Sequence, residues 1–185
     1  MEPDKVAAMA DNCRFLLEGG EIHPLRWIRL ARSRHFRLYN ANFEQYLMAE
    51  NYYFAWMQTN DTTHLDNLIA VLYRKPWQRW NAAKIQKRAR YFSSIAPEVK
   101  NSVFLWYAGF RKLVERRCPN LYSKKGSSEK LNVSEYLNGM IHALNNNDIT
   151  RNPGLMKQPV WDALNEMEQR ALEAVKMKEA LTKKH

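Results

Sequence analysis

Apolar side chains recur every three to four residues along most of this chain, and the stretches in which they recur are separated by short polar breaks. That period is the signature of amphipathic helices. Val6, Met9, Ala10, Cys13, Leu16 and Leu17 predict a first helix over 4–18, closed by Gly19-Gly20 as a C-terminal stop. Pro24 then opens a basic segment from Leu25 to Tyr39. A long aromatic helix follows, with Phe36, Tyr39, Phe43, Tyr46, Leu47, Tyr53, Phe54 and Met57 on its stripe. Thr59-Asn60-Asp61-Thr62-Thr63 interrupts it with residues that favour helix N-caps, and Thr63 with Asp66 has the spacing of a capping box. The helix started there, Leu65 to Tyr73, is apolar on most sides and is expected at the centre of the fold; Pro76 ends it.

The pattern continues past the midpoint. A helix over about 79–94 carries many cations. Pro97-Glu98 starts the next one, with proline in the first turn and an acid near the positive end of the dipole. Val103, Trp106, Tyr107, Phe110, Leu113 and Val114 form its buried face, and Pro119 stops it. Ser123-Lys124-Lys125-Gly126-Ser127-Ser128-Glu129-Lys130 reads as a linker. Asn132 and Glu135 bracket a further helix start, with Tyr136, Leu137, Met140, Ile141 and Leu144 on its stripe. Asn145 to Asp148 forms a turn. A last helix runs from Pro159 to about Thr182, with Val160, Trp161, Leu164, Met167, Ala171, Val175 and Leu181 on its inward stripe and a lysine-rich end that loses apolar content and faces solvent. These elements predict an all-α protein: an irregular bundle of about six to seven helices with a C-terminal helical pair and a long terminal helix. The expected division is a body over 1–122, the linker 123–130 and the pair over 131–185.

Composition adds limits. A chain of 185 residues that is 45% hydrophobic and 12% aromatic builds a real core rather than staying disordered. Cys13 and Cys118 fit no metal-ligand spacing and read as reduced thiols. The start Met1-Glu2-Pro3-Asp4 is acidic and no apolar leader follows, which predicts a soluble intracellular protein. No apolar run nears the roughly 20 residues a membrane span needs.

Catalytic chemistry has no visible signature. Gly-rich phosphate loops, HExxH and GxSxG are absent, and the histidines are scattered. Glu44 and Glu50 lie six apart on one helix and face different ways, so they are no carboxylate pair. Asp162, Glu166 and Glu173 read as a solvated face helped by Arg170 and Lys176. The sequence therefore nominates no catalytic, cofactor-binding or metal-binding residue and points to a non-enzymatic binding protein.

Charge is where the chain becomes specific. Residues 1–60 carry 7 basic and 7 acidic side chains, and residues 131–185 carry 7 and 7; residues 61–130 carry 15 against 5, the whole net charge of +10. Two cationic strips stand out as partner-binding candidates. Arg26, Arg29 and Arg37 share one side of a helix; Arg74, Lys75, Arg79, Lys84, Lys87, Arg88 and Arg90 form the denser run, with Trp77 and Trp80 among them. Three readings are open: a solvated helix face with packed tryptophans, a surface docking an acidic protein through arginine–carboxylate pairs, or a phosphate-backbone contact with tryptophans stacking on bases.

Two passages carry a resemblance. Leu65-Asp66-Asn67-Leu68-Ile69-Ala70-Val71-Leu72-Tyr73-Arg74, followed closely by Pro76, resembles the "LDxLIAxLYRP" segment of small helical proteins encoded in phage and prophage tail modules of the Bacteroidetes type. Met140 to Asn152, continuing to Val160-Trp161-Asp162-Ala163-Leu164, is similar to their C-terminal segment, where an "LxxGDxTK" turn leads into a "WxxL" helix. Here Asn146-Asn147 stands in place of the glycine, and Lys75 separates Arg74 from Pro76. The resemblance covers most of 40–170 and implies a tail assembly chaperone or minor structural component, located in the host cytoplasm or the virion. Within such a module the cationic strips predict an acidic protein partner, another phage structural protein, with nucleic acid as the alternative, and no membrane is expected. No catalytic residues come with it.

Overall fold

A computed structural model of the chain describes residues 41–73, 79–122, 132–146 and 148–182. The expected helix over 4–18, the segment Leu25–Tyr39 and the linker 123–130 lie outside the described residues. The protein is an all-α multi-helix bundle, with seven α-helices among the described residues. They are α1 (Phe43–Thr59), α2 (Thr62–Leu72), α3 (Ile85–Ala89), α4 (Pro97–Arg117), α5 (Val133–Asn145), α6 (Asn152–Leu155) and α7 (Val160–Thr182). Single 3₁₀ turns precede α3 (Ala82–Lys84) and α6 (Ile149–Arg151).

The chain forms two compact units. One holds the described residues from Leu65 to Arg117; the other holds those before Leu65 and those from Cys118 onward. The sequence expectation placed the aromatic helix in a body over 1–122, separate from 131–185. In the structure α1 packs against α5 and α7, so it belongs with the C-terminal helices. Its aromatic stripe needs apolar partners, and those helices supply them.

In the first unit, every residue from Leu65 to Tyr73 is buried, as expected for a helix apolar on most sides. On α4, Val103, Phe104, Trp106, Tyr107, Phe110 and Val114 are buried at helical spacing, and the Trp106 and Phe110 rings stack 6.5 Å apart. Two charges share this apolar setting. Lys100 is 6% exposed and Asp66 8%, and they form an ion pair at 2.6 Å. Lys100 also donates to the Ser93 carbonyl at 3.1 Å, which fixes the turn before α4. Asp66 is therefore not the second half of a capping box. Asp61 caps α2 instead, its carboxylate accepting from the Thr63 N–H at 2.9 Å.

In the second unit, the start of α1 is stitched to the residues leading into α7. Phe43 N–H donates to Gln158 O at 2.9 Å, Glu44 N–H to Met156 O at 3.1 Å, and Val160 N–H to Ala41 O at 2.9 Å. Asn42 accepts from the Gln45 N–H as the cap of α1. Phe43, Tyr46, Ala49, Val160, Ala163 and Leu164 are fully shielded or nearly so. Glu168 on α7 holds the turn after α4: its carboxylate accepts from Asn120 N–H at 3.1 Å, Asn120 Nδ2 at 2.6 Å and Leu121 N–H at 2.9 Å. Asn60 and Asn146 end α1 and α5 in the left-handed region, at φ 55° and 54°. Asparagine tolerates that conformation better than other residues that carry a side chain.

Removing one member of a buried ion pair strands the other charge, whereas replacing both with apolar groups is often neutral. Lys100→Met should cost about 3–5 kcal/mol in urea unfolding, and Asp66→Leu with Lys100→Met should recover most of that loss. Equal destabilisation by the single and double variants would show that the pair does not act as a unit.

The exposed caps supply a pH signature. Hydrogen bonds from Thr63 hold the Asp61 carboxyl below the ordinary aspartate range, aided by His64, and bonds from Thr150 do the same for Asp148, aided by Arg151. A carboxyl whose folded value is lowered stabilises above its unfolded value, near 3.9, and loses that contribution as pH falls through the folded value. Asp61→Asn with Asp148→Asn should thus unfold with a shallower dependence on pH below about 4 in an acid titration followed by circular dichroism. An unchanged slope would rule these caps out as its source.

Candidate interaction surface

The basic run adopts less helix than its sequence predicts. Asn81 is extended and its side chain makes no cap bond, so regular structure begins only with the turn Ala82–Lys84 and continues through α3 to Ala89. Beyond it Tyr91 N–H bonds Arg88 O and Phe92 N–H bonds Ala89 O, three residues back rather than four. That tightening ends the α-helix and carries Phe92 onto the buried side. The expected helix over 79–94 is in fact one short helix between turns.

Its two faces differ sharply. Ile85, Arg88, Ala89 and Phe92 are buried, at spacings of three, four and seven residues. Lys84, Gln86, Lys87, Arg90 and Tyr91 are exposed, Tyr91 at 66%. The apolar residues anchor the segment, and the Lys100 bond to Ser93 fixes its end. Lys84, Lys87 and Arg90, three residues apart, then form one solvent-facing row.

Arg88 does not belong to that row. Its guanidinium carbon sits 5.5 Å from the centroid of the Trp80 ring, and only 7% of the residue is exposed. A cation over an indole face is attracted by the ring quadrupole, so these two members of the run stack on each other. Trp80 is half-buried under that stack, which removes it as a free platform for a base. Arg79 is exposed. Arg26, Arg29, Arg37, Arg74, Lys75 and Trp77 lie outside the described residues. Sequence reasoning missed Tyr91, whose exposure follows from the register that buries Phe92, and Lys100, whose anchoring needs a partner distant in sequence.

Counted over the described residues alone, charge divides unevenly between the two units. The described residues of the first unit carry ten Lys or Arg against three Asp or Glu; those of the second carry five against ten. The same stretches of chain also hold Arg37, Lys124, Lys125, Lys130, Lys183 and Lys184 against Glu129 outside the described residues, so residues 36–64 and 118–185 balance at 11 basic and 11 acidic side chains and the net charge of +10 stays with the rest of the chain.

A cavity of about 400 Å³ in the second unit is lined by residues including Leu144, Asn145, Thr150, Leu155 and Arg170. The Arg170 guanidinium donates to Ala143 O, to Asn146 Oδ1 at 2.6 Å and to the Glu166 carboxylate, so it closes the end of α5. Among the described residues no group of three or more His, Cys, Asp or Glu is placed to hold a metal ion. No helix among them is long and apolar enough to cross a membrane. His64 is half-buried beside Tyr52, with ring centroids 6.5 Å apart, and His142 is exposed. Burial raises the Tyr52 phenol above its usual value.

No protein-family model, curated protein or solved structure matches this chain.

The two faces of α3 should respond differently to substitution. Arg88→Ala should destabilise by about 1–2 kcal/mol, through the lost cation–π stack and the packing of its stem. Lys84→Gln, Lys87→Gln and Arg90→Gln together should change stability by no more than about 0.5 kcal/mol, as is usual at exposed positions. Urea denaturation separates them; comparable losses in both would place the exposed row in the folded core.

Proposed function

We propose that this chain is a non-enzymatic binding protein that docks an acidic protein partner through its basic unit. The observation that carries the reading is the row Lys84, Lys87 and Arg90, exposed along one side of a segment whose other side is buried. Cations held on an anchored backbone lose less freedom on binding than cations on a free chain. Arg90 can pair a carboxylate bidentately, and the lysines add point charges. The resemblance to tail-module proteins supplies the context: the partner would be another structural protein of a phage or prophage, met during assembly of a tail or particle.

One observation favours nucleic acid instead. Tyr91 stands exposed directly after Arg90, where a base could stack on it while the cations contact phosphates. The two readings differ in what they ask of that ring. Fluorescence anisotropy of labelled poly-L-glutamate and of labelled single- and double-stranded oligonucleotides, titrated with the full chain over a salt series, separates them. For an acidic protein partner, poly-L-glutamate binds, the Lys84→Gln, Lys87→Gln, Arg90→Gln variant loses about tenfold or more in affinity, and Tyr91→Ala leaves it unchanged. Tighter binding to oligonucleotides near physiological salt, with a steep salt slope and a tenfold loss on Tyr91→Ala, would overturn the docking proposal.

A further inference from the structure

Helix α3 has only five residues, and a helix that short does not hold itself in water. Its start is uncapped as well. Asn81 precedes the 3₁₀ turn and Lys84 precedes α3, and neither side chain makes a capping bond. Yet this segment carries the exposed row Lys84, Lys87 and Arg90. Contacts with the rest of the unit must therefore hold it. Ile85, Ala89 and Phe92 seat it, at 1%, 7% and 8% exposure. Lys100 fixes the far end through the Ser93 carbonyl. At the near end stands Trp80, with the Arg88 guanidinium carbon 5.5 Å from its ring centroid. That stack bridges the uncapped turn and ties its entry to the end of α3.

We infer that Trp80 is a positioning residue for the docking surface, acting through Arg88 rather than by touching the partner. The inference rests on the proposed docking function and adds the residue that sets its row of cations. Cations that are already fixed lose less freedom on binding, so a clamp behind them raises affinity without adding a contact. An indole suits that place for an electrostatic reason. Its face attracts the guanidinium, which gives a residue only 7% exposed a favourable neighbour. A carboxylate there would pair with Arg88 at least as well, but it would put a negative charge beside the row. Trp80 holds the cation and leaves the positive field undiluted. The surrounding sequence keeps to the same pattern: between Asp66 and Glu98 there is no Asp or Glu.

The test uses the full chain with Trp80→Phe, Trp80→Ala, Arg88→Met, and the last two combined. Circular dichroism first checks that each is folded under the binding conditions; should Trp80→Ala unfold, Trp80→Leu, which keeps apolar volume without the ring, replaces it. Each variant is titrated against labelled poly-L-glutamate by fluorescence anisotropy over a salt series, and hydrogen exchange is followed by mass spectrometry. Trp80→Ala should bind about fivefold more weakly than the wild type, the scale of one lost cation–π contact. Its salt slope should not change, because the same cations remain at the surface. Trp80→Phe should bind within about twofold of the wild type, since it keeps an aromatic face for Arg88. The double variant should bind no more weakly than Arg88→Met, because either single change already removes the stack. Exchange should quicken over 82–90 in Trp80→Ala while α5 and α7 stay as protected as before. Wild-type affinity in Trp80→Ala, a loss that phenylalanine does not restore, additive losses in the double variant, or exchange that quickens equally in both units would each overturn the inference. A wild type that does not bind poly-L-glutamate would sink the docking function itself; quicker exchange confined to 82–90 would then still uphold the stack as what holds the segment.

Discussion

The buried pair of Lys100 and Asp66 is the constraint on which the first unit is arranged. Taking two charges out of water is expensive, and their attraction offsets that cost only if each also finds its remaining hydrogen bonds. Lys100 meets the requirement by donating to Ser93 as well, so a single ammonium ties α2, the turn after α3 and α4 together. The position of the turn sets where Phe92 enters the core, and Phe92 sets the register of the exposed row before it. One interior cation thus helps to hold the segment from which the exterior cations project. In a unit this rich in positive charge the arrangement also places one lysine where it repels its neighbours least, beside an acid.

Much of the architecture was legible in the residues. The start of α4 at Pro97, the cap of α5 at Asn132 and the extent of α7 follow from local rules: proline in a first turn, asparagine accepting from the next N–H groups, and a sustained apolar period. The central place of Leu65 to Tyr73 was equally plain, because a helix apolar on most sides must be covered on most sides. What escaped were pairings between distant residues. Asp66 has the spacing of a local cap, and nothing near it in sequence announces Lys100. The grouping of α1 with α5 and α7 was hidden for the same reason, since a stripe shows that a helix has a partner without showing which one.

The candidate surface was half legible. Its charge was evident, and so was the presence of aromatic rings. The sequence could not sort those side chains into inward and outward sets, because it indicated one long helix where the chain makes a short helix between turns. That difference decides the fate of Arg88 and Trp80, which stack on each other, and of Tyr91, which is left in solvent.

The backbone clamp between Phe43 and Gln158 has a bearing on how the protein is made. The residues that complete the second unit leave the ribosome long after α1. Those that form the first unit, Leu65 to Arg117, lie between and are available as soon as they are synthesised. At a translation rate of about 5–20 residues per second, α1 waits several seconds with its aromatic face unpartnered. Such a face is exposed to misassociation during that interval. The nested order of the chain therefore makes the second unit the slower to mature, and gives a chaperone its best opportunity to act on α1.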